Sequence, residues 1–309
     1  MTDTHTQSLP EDRWSQWLLE VRHGRSADFR NKVTKAVDSI RDRLLDAARL
    51  KPGMTLLDIG TGDGLIPLGA IDRIGPTLRV IMTDASDALL AHAKAAVHKR
   101  GLQSQCTFMP CSADKLNRIA DTSVDVATSR AVLAYVDDKP AAFKEIFRVL
   151  QPGGRLSIAE PIFQDEAFAA AALTRMLQTQ PNQPDFDFLR LIHRWKSAQF
   201  PATEEAIWKN PLTNFSERDL VRQVSAAGFC NIHMELHIDA LHAWITDWEV
   251  FLDVSPHPLA KPLREILAQQ FSTSERLFFE RIMRPQVESG QTTSSDVIAY
   301  LSADKPSKQ

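Results

Sequence analysis

Between residues 55 and 159, short apolar runs alternate with segments whose apolar residues recur every three to four positions. The runs lie at 55–59, 79–83, about 106–110, 124–128 and 155–159, and each reads as a buried strand. Turn and cap residues separate them. A helix follows Gly64, with Pro67 in its first turn, where a missing N–H costs little. Gly75-Pro76 stops it. Ser86 caps the next helix, whose end is basic (His98, Lys99, Arg100) before Gly101. A helix is expected over 139–149, and Pro152-Gly153-Gly154 turns the chain into the fifth strand. This β–α alternation predicts a parallel sheet with helices on both faces.

Outside that stretch the pattern changes. Trp14, Trp17, Leu18 and Val21 share a helical face over 10–23. Val33, Val37, Ile40, Leu44 and Ala48 do so over about 28–49, and the Arg22–Ser26 stretch between them reads as a turn. Residues 162–212 read as helical and loop-rich, punctuated by Pro181, Pro184, Pro201 and Pro211. A helix capped by Ser216 covers 215–227, and a sixth strand covers 232–238. Residues 240–289 read as helical again, and a seventh strand covers 297–303. The expected organisation is an arm or lid (1–50), a core (51–161), a cap insertion (162–212), a core continuation (213–239), a second cap insertion (240–290), and a last strand with a frayed tail (291–309). The fold class is α/β: a doubly wound, seven-stranded Rossmann-like sheet with an added helical cap.

Composition narrows the function classes. Of 309 residues, 43% are hydrophobic and 24% charged, enough for a real core. A formal net charge of −3 gives no field that recruits nucleic acid or an anionic membrane surface. Cys106, Cys111 and Cys230 lack the paired spacing of a disulfide framework or a zinc site. The first residues do not follow the order of a signal peptide, and no apolar run reaches the roughly 20 residues of a membrane span. The expectation is a cytoplasmic protein acting on a small molecule, without nucleic acid or membrane partners and compatible with a homo-oligomer.

The stretch TLLDIGTGDGLIPL, residues 55–68, carries the first chemistry. Gly60, Gly62 and Gly64 permit positive φ and close approach of a ligand to backbone. Counted from Gly60, the final position of a dinucleotide fingerprint is Leu65 rather than Gly or Ala, so a pyrophosphate seat is poorly matched. Asp58, directly before the turn, repels phosphate and attracts an ammonium group. Asp84 ends the second strand, where an acid can accept from ribose hydroxyls. These features call for a nucleoside with a cationic arm and no phosphate. S-adenosyl-L-methionine has that form.

Five blocks between about 50 and 163 resemble, in order, those of the class I S-adenosylmethionine-dependent methyltransferases. They are LLDIGTGDG, VIMTDAS, CSADKL, VDVATSRAVLAYV and FKEIFRVLQPGGRLSIAEP, the last similar to the quinone-methyltransferase-like branch. The resemblance implies that Asp58, Gly60 and Gly62 line the methionine moiety. It places Asp84 on the ribose and Ala85 beside the adenine. Ala113 and Asp114 meet the adenine edge, and Ser129 and Arg130 lie near the sulfonium. The overall layout, with a helical arm and an insertion before the last strand, is similar to bacterial methionine S-methyltransferases, which implies a sulfur acceptor and S-methylmethionine as product.

Methyl transfer requires an acceptor held in line with the S–CH₃ bond and sheltered from water. It needs no metal, and the sequence offers no ligand cluster. An oxygen or nitrogen acceptor needs a base; Tyr135, Asp137 and Glu160 follow the fourth and fifth strands, and His193, His237 and His242 lie in or near the cap. A thioether has no proton to lose. For a free amino acid the cap offers Arg190, Arg194, Trp195, Glu204, Trp244, Asp247 and Trp248. The arm, with Trp14, Trp17, Arg22 and Arg25, can fold over the cofactor. O-, N- or C-methylation of a quinone, polyketide or other metabolite stays open. So do a nucleoside-binding protein without catalysis and a nicotinamide oxidoreductase.

Overall fold

A computed structural model describes residues 12–180, 186–242 and 244–307. Pro10, Glu11, Pro181 and Pro184 lie outside the described residues, as do the last two of the tail. The core opens with β1 (Thr55–Ile59) and α3 (Leu65–Ile74), then β2 (Arg79–Asp84) and α4 (Asp87–Lys99). It continues through β3 (Cys106–Pro110), β4 (Val124–Arg130), α5 (Lys139–Val149) and β5 (Leu150–Pro161). The sheet closes with β6 (Cys230–His242) and β7 (Thr293–Asp304), in the order β3-β2-β1-β4-β5-β7-β6. The first five strands are parallel; β7 runs antiparallel to both β5 and β6.

The apolar runs are continuous because these strands are covered on both faces. Leu57 and Ile59 pack with Phe143, Ile146 and Phe215 on one face. Leu56, Val80 and Met82 pack on the other with Leu44 and Ala48 of α2 (Ala27–Ala48) and with Ile66 and Ala70. Local signals set the helix ends: Ser86 Oγ accepts from Leu89 N at 3.1 Å, and Asp138 Oδ1 from Ala141 N at 2.9 Å. Chain order reverses between β1 and β4, which are neighbours in the sheet. A crevice therefore opens beyond the carboxyl ends of these two strands.

The cap is assembled from both insertions. The first gives α6 (Gln164–Thr179), α7 (Asp187–Gln199) and α8 (Glu204–Lys209), and then α9 (Glu217–Ala226) returns to the sheet. The second gives α10 (Trp248–Asp253), α11 (Leu263–Gln270) and α12 (Thr273–Glu288). Leu191 of α7 shares one apolar core with Trp248, Leu252, Ile266, Phe279 and Val287, so neither insertion closes a core alone. The arm supplies α1 (Arg13–Leu19) and a 3₁₀ turn at Val21–His23 before α2.

Two boundaries differ from expectation. Strand β6 does not stop at Ile238 but runs to His242, because β7 starts at Thr293 and pairs with it to the end, Asp239 with Asp296 and His242 with Thr293. Residues 240–242, expected to be helical, are thus strand, and 244–247 lie in a loop. The second cap insertion begins after it. Strand β5 takes in the Pro-Gly-Gly stretch, with a register shift between Val124 and Val126 of its neighbour.

Candidate active site

The glycine turn is shaped by what surrounds it. Gly60, Gly62 and Gly64 have φ of 65°, 56° and 85°, the left-handed region that glycine adopts without strain. A Cβ on Gly60 would fall inside the Val132 side chain, and one on Gly62 would stand 3.0 Å from Leu18 Cδ2. The bare backbone therefore lets two other segments close in. One is the loop after β4; the other is helix α1 of the arm.

Between them lies a cavity of about 370 Å³. Gly60, Gly62, Asp84, Ala85, Ala113 and Asp114 line one end of the parallel sheet's crevice. Arg130, Val132, Tyr135, Val136 and Asp137 supply the wall after β4, and Trp14, Trp17, Leu18 and Pro258 supply the cover. Trp14 meets Tyr135 edge-on at 5.2 Å between ring centroids, and Trp17 Nε1 donates to Ser255 O at 3.2 Å. The arm thus bridges core and cap over the cavity. Pro258 escaped the sequence reading, and Leu18 was read only as part of the arm's helical face. Pro258 is brought in from a loop almost two hundred residues away, with no periodic signal of its own.

The acids at the strand ends differ in what they face. Asp84 lines the cavity. Its Oδ2 accepts from Gly62 N and its Oδ1 from Ser86 N, each at 2.9 Å. Burial raises its pKa against those bonds. Asp58 does not line the cavity; it is 1% exposed beneath the turn. Its Oδ1 accepts from Thr128 Oγ1 at 2.7 Å, while Oδ2 is buried and has no partner. Burial pushes its carboxyl up to about 7, with Thr128, Thr61 and Arg130 opposing that shift. Asp114 accepts from Ser112 Oγ at 2.5 Å.

A second charged cluster stands beside Arg130. Arg22 lies over the Trp17 ring at 5.9 Å and its Nε is buried without a partner. Burial, with Arg130 adding repulsion, lowers its guanidinium to about 10. Arg130 in the lining, with Arg22 close behind it, fits the carboxylate of an amino-acid tail, and Asp58 supports the turn from beneath. The turn and Asp84 fit a ribose, so the residues present suit S-adenosylmethionine.

The structure corrects several expected roles. Ser129 is fully buried, 3.5 Å from Glu160, and does not reach the cavity. Glu160 is also fully buried, its carboxylate turned into the backbone of the β4 loop. Tyr135 lines the cavity, but burial raises its pKa well above the ordinary phenol value, so it stays protonated. His193 pairs with Thr174 Oγ1 at 2.8 Å between α6 and α7, away from the cavity, and burial lowers its pKa.

None of the cap residues expected to bind substrate lines the cavity. Arg190 is bonded to Asp187 at 2.8 Å, and Arg194 to Glu275 with its guanidinium over Phe271. Trp195 and Trp248 belong to the cap's own core, and Trp244 packs against Phe29. Asp247 caps α10 and Glu204 lies in the first turn of α8. His237 bonds Glu235 at the surface. The aromatic-plus-charge pattern marks an amphipathic helix with a buried face, and sequence spacing does not reveal which way that face docks.

Known proteins agree with this geometry. A methyltransferase domain family matches residues 57–158. The ubiquinone/menaquinone biosynthesis C-methyltransferase UbiE of Ectopseudomonas mendocina is 30% identical over 158 residues, 50% of this chain and 61% of that protein. UbiE of Xanthomonas oryzae pv. oryzae is 34% identical over 113 residues, 37% of this chain and 44% of that protein. The chain therefore spans less than two thirds of these relatives. Among solved structures, YcgJ of Bacillus subtilis matches with a TM-score of 0.53 at 16% identity, covering 87% of this chain and 98% of its own. The [4+2]-cyclase SpnF matches at 0.52 and 18%, covering 89% and 83%. Such likenesses establish the fold alone; SpnF is named for a cyclisation. Residues 57–158 are thus a methyltransferase domain of the S-adenosylmethionine-dependent kind.

Proposed function

We propose that the protein transfers the methyl group of S-adenosylmethionine to a small, largely apolar acceptor of the quinol type. The observation that carries this is the polarity of this cavity. Its Asp84 end is hydrogen-bonding and acidic, and its far wall is Trp14, Val132, Tyr135, Val136 and Pro258. Asp84 would hold the ribose and Asp114 the adenine amine. Arg130 would take the amino-acid carboxylate, with Arg22 behind it and Asp58 acting from beneath the turn. The bound cofactor supplies a methyl group already activated by its sulfonium. The chain's own work is to orient the acceptor and keep water out, which Trp14, Trp17 and Leu18 do by covering the cavity. Asp137, the exposed carboxylate in the wall after β4, would take a phenolic proton. Support for the acceptor class comes from the names of the UbiE relatives and from the apolar wall.

A methionine sulfur acceptor is the second reading. What favours it is that Tyr135 stays protonated, Glu160 is sealed off and His193 lies elsewhere, so no buried base faces the acceptor end among the described residues; a thioether needs none. Against it, the expected amino-acid clamp lies outside the cavity. Incubation with methyl-labelled cofactor and either menadiol or L-methionine separates the two. Label on a menadiol ring carbon supports the first reading, and labelled S-methylmethionine the second. Cofactor binding with no label transferred to either probe or to a metabolite extract would leave a nucleoside-binding protein.

A further inference from the structure

The loop that forms the acceptor wall is held from behind by two buried charges. Strand β4 ends at Arg130, and Ala131 turns the chain with φ of 54°, a left-handed conformation that a residue with a Cβ keeps only when its surroundings impose it. Glu160, fully buried at the end of β5, imposes it. Its carboxylate accepts from Val132 N at 3.0 and 3.2 Å and from Ala134 N at 3.2 Å. Ser129 Oγ lies 3.5 Å away on the preceding strand. The other end of the loop is tied by Lys139, 2% exposed, whose Nζ donates to Val136 O at 3.1 Å and to Pro211 O at 2.7 Å and lies 4.6 Å from the Phe215 ring centroid. The two charges attract one another. Between their anchor points lie Val132, Tyr135 and Val136, the side chains that face the cavity. Neither charge lines the cavity itself.

We propose that Glu160 and Lys139 are positioning residues that clamp residues 131–136 and thereby fix the acceptor wall. The clamp works by geometry rather than by proton transfer. A buried carboxylate gathers N–H groups that have turned away from the β5 ladder, and a buried ammonium gathers the carbonyls at the far end. The loop's own backbone bonds are those of one 3₁₀ turn, Tyr135 N to Val132 O at 2.9 Å and Val136 N to Leu133 O at 3.1 Å, so without the clamp Val132 and Tyr135 lose their fixed places over Gly60 and against Trp14. This rests on the reading of the cavity given above, but only in what the wall is for.

The test compares wild type, Glu160→Gln and Lys139→Met as full chains. Amide hydrogen exchange should accelerate at least tenfold across 131–136 in both variants, with β1 and β2 unchanged. With menadiol as acceptor probe, its KM should rise at least about fivefold, while the affinity for S-adenosylhomocysteine changes less than threefold. Unaltered exchange in 131–136, or an unchanged menadiol KM beside faster exchange, overturns the proposal. Should both variants fail to fold, the wild-type amides of Val132 and Ala134 decide. Protection comparable to that of β4 supports the clamp, and exchange at the rate of open loops refutes it. Should wild type not methylate menadiol, the acceptor reading fails while the exchange data still judge the clamp.

Discussion

The core and the cap use the same kinds of residue in opposite ways. In the core, acids and arginines stand at strand ends, partly or wholly buried, and several face a cavity: Asp84, Asp114 and Arg130. In the cap, the arginines pair with neighbours at the surface, Arg264 with Asp253 and Glu249, and Arg194 with Glu275, while the tryptophans fill the cap's own interior. A charge next to an aromatic residue therefore means little until the direction of the element's buried face is known. At a strand end in a parallel sheet that direction is fixed by the pleat and the turn. On a cap helix it depends on docking.

Substitutions can break this contrast, from large effects to small. Trp248→Ala should cost about 3–5 kcal/mol of stability by opening the cap core. The affinity for S-adenosylhomocysteine should change less than threefold where the variant is folded; chemical unfolding and titration check the pair. Gly60→Ala should cost about 1–2 kcal/mol for its left-handed backbone and about 1–3 kcal/mol more for overlap with Val132, and it should weaken cofactor binding too. Asp84→Ala should leave the fold largely intact yet weaken the cofactor by about 1.5–3 kcal/mol, more than tenfold. Unchanged affinity would remove the ribose role.

Asp58 sharpens the comparison through pH. Its folded pKa is raised by burial from 3.8 to about 7, so between those values the native state holds a proton that the unfolded chain has released. Asp58's contribution to stability therefore falls as pH rises through that window. Asp58→Asn does not titrate, so its melting temperature should gain on wild type between pH 4 and pH 8 in the absence of ligand. A constant difference would mean that the acid is solvated after all. The smallest effect belongs to His193→Ala. It loses one bond to Thr174, about 1 kcal/mol of stability, with cofactor affinity and turnover within twofold of wild type.

Much of the core was legible because its signals are local. The strand at 55–59, the helix after Gly64, the Ser86 and Ser216 caps and the third strand lie where the pattern puts them. The glycine turn and Asp84 could be placed in one crevice because strand ends in a parallel sheet converge. What the sequence concealed was set by long-range pairing. The tip of β6 reads as the start of a helical stretch, and only the partner strand β7, some fifty residues on, extends it to His242. Glu160 looked like a base because it follows β5 at the correct sheet edge. Whether a carboxylate there faces the cavity or the neighbouring loop depends on how Ala131 turns, and an alanine in the left-handed region carries no sequence signature. Trp14 and Trp17 of the arm share a face that a short isolated helix would leave wet, and in the structure that face lies against the cavity.

The central claim is that the crevice beyond β1 and β2 holds a phosphate-free adenosine compound. Calorimetric titration of the wild-type protein with S-adenosylhomocysteine and, separately, with NAD⁺ tests it most directly. The account predicts saturable binding of the first at one site per chain and none of the second at the same concentrations. Binding of NAD⁺ in preference to S-adenosylhomocysteine would contradict it.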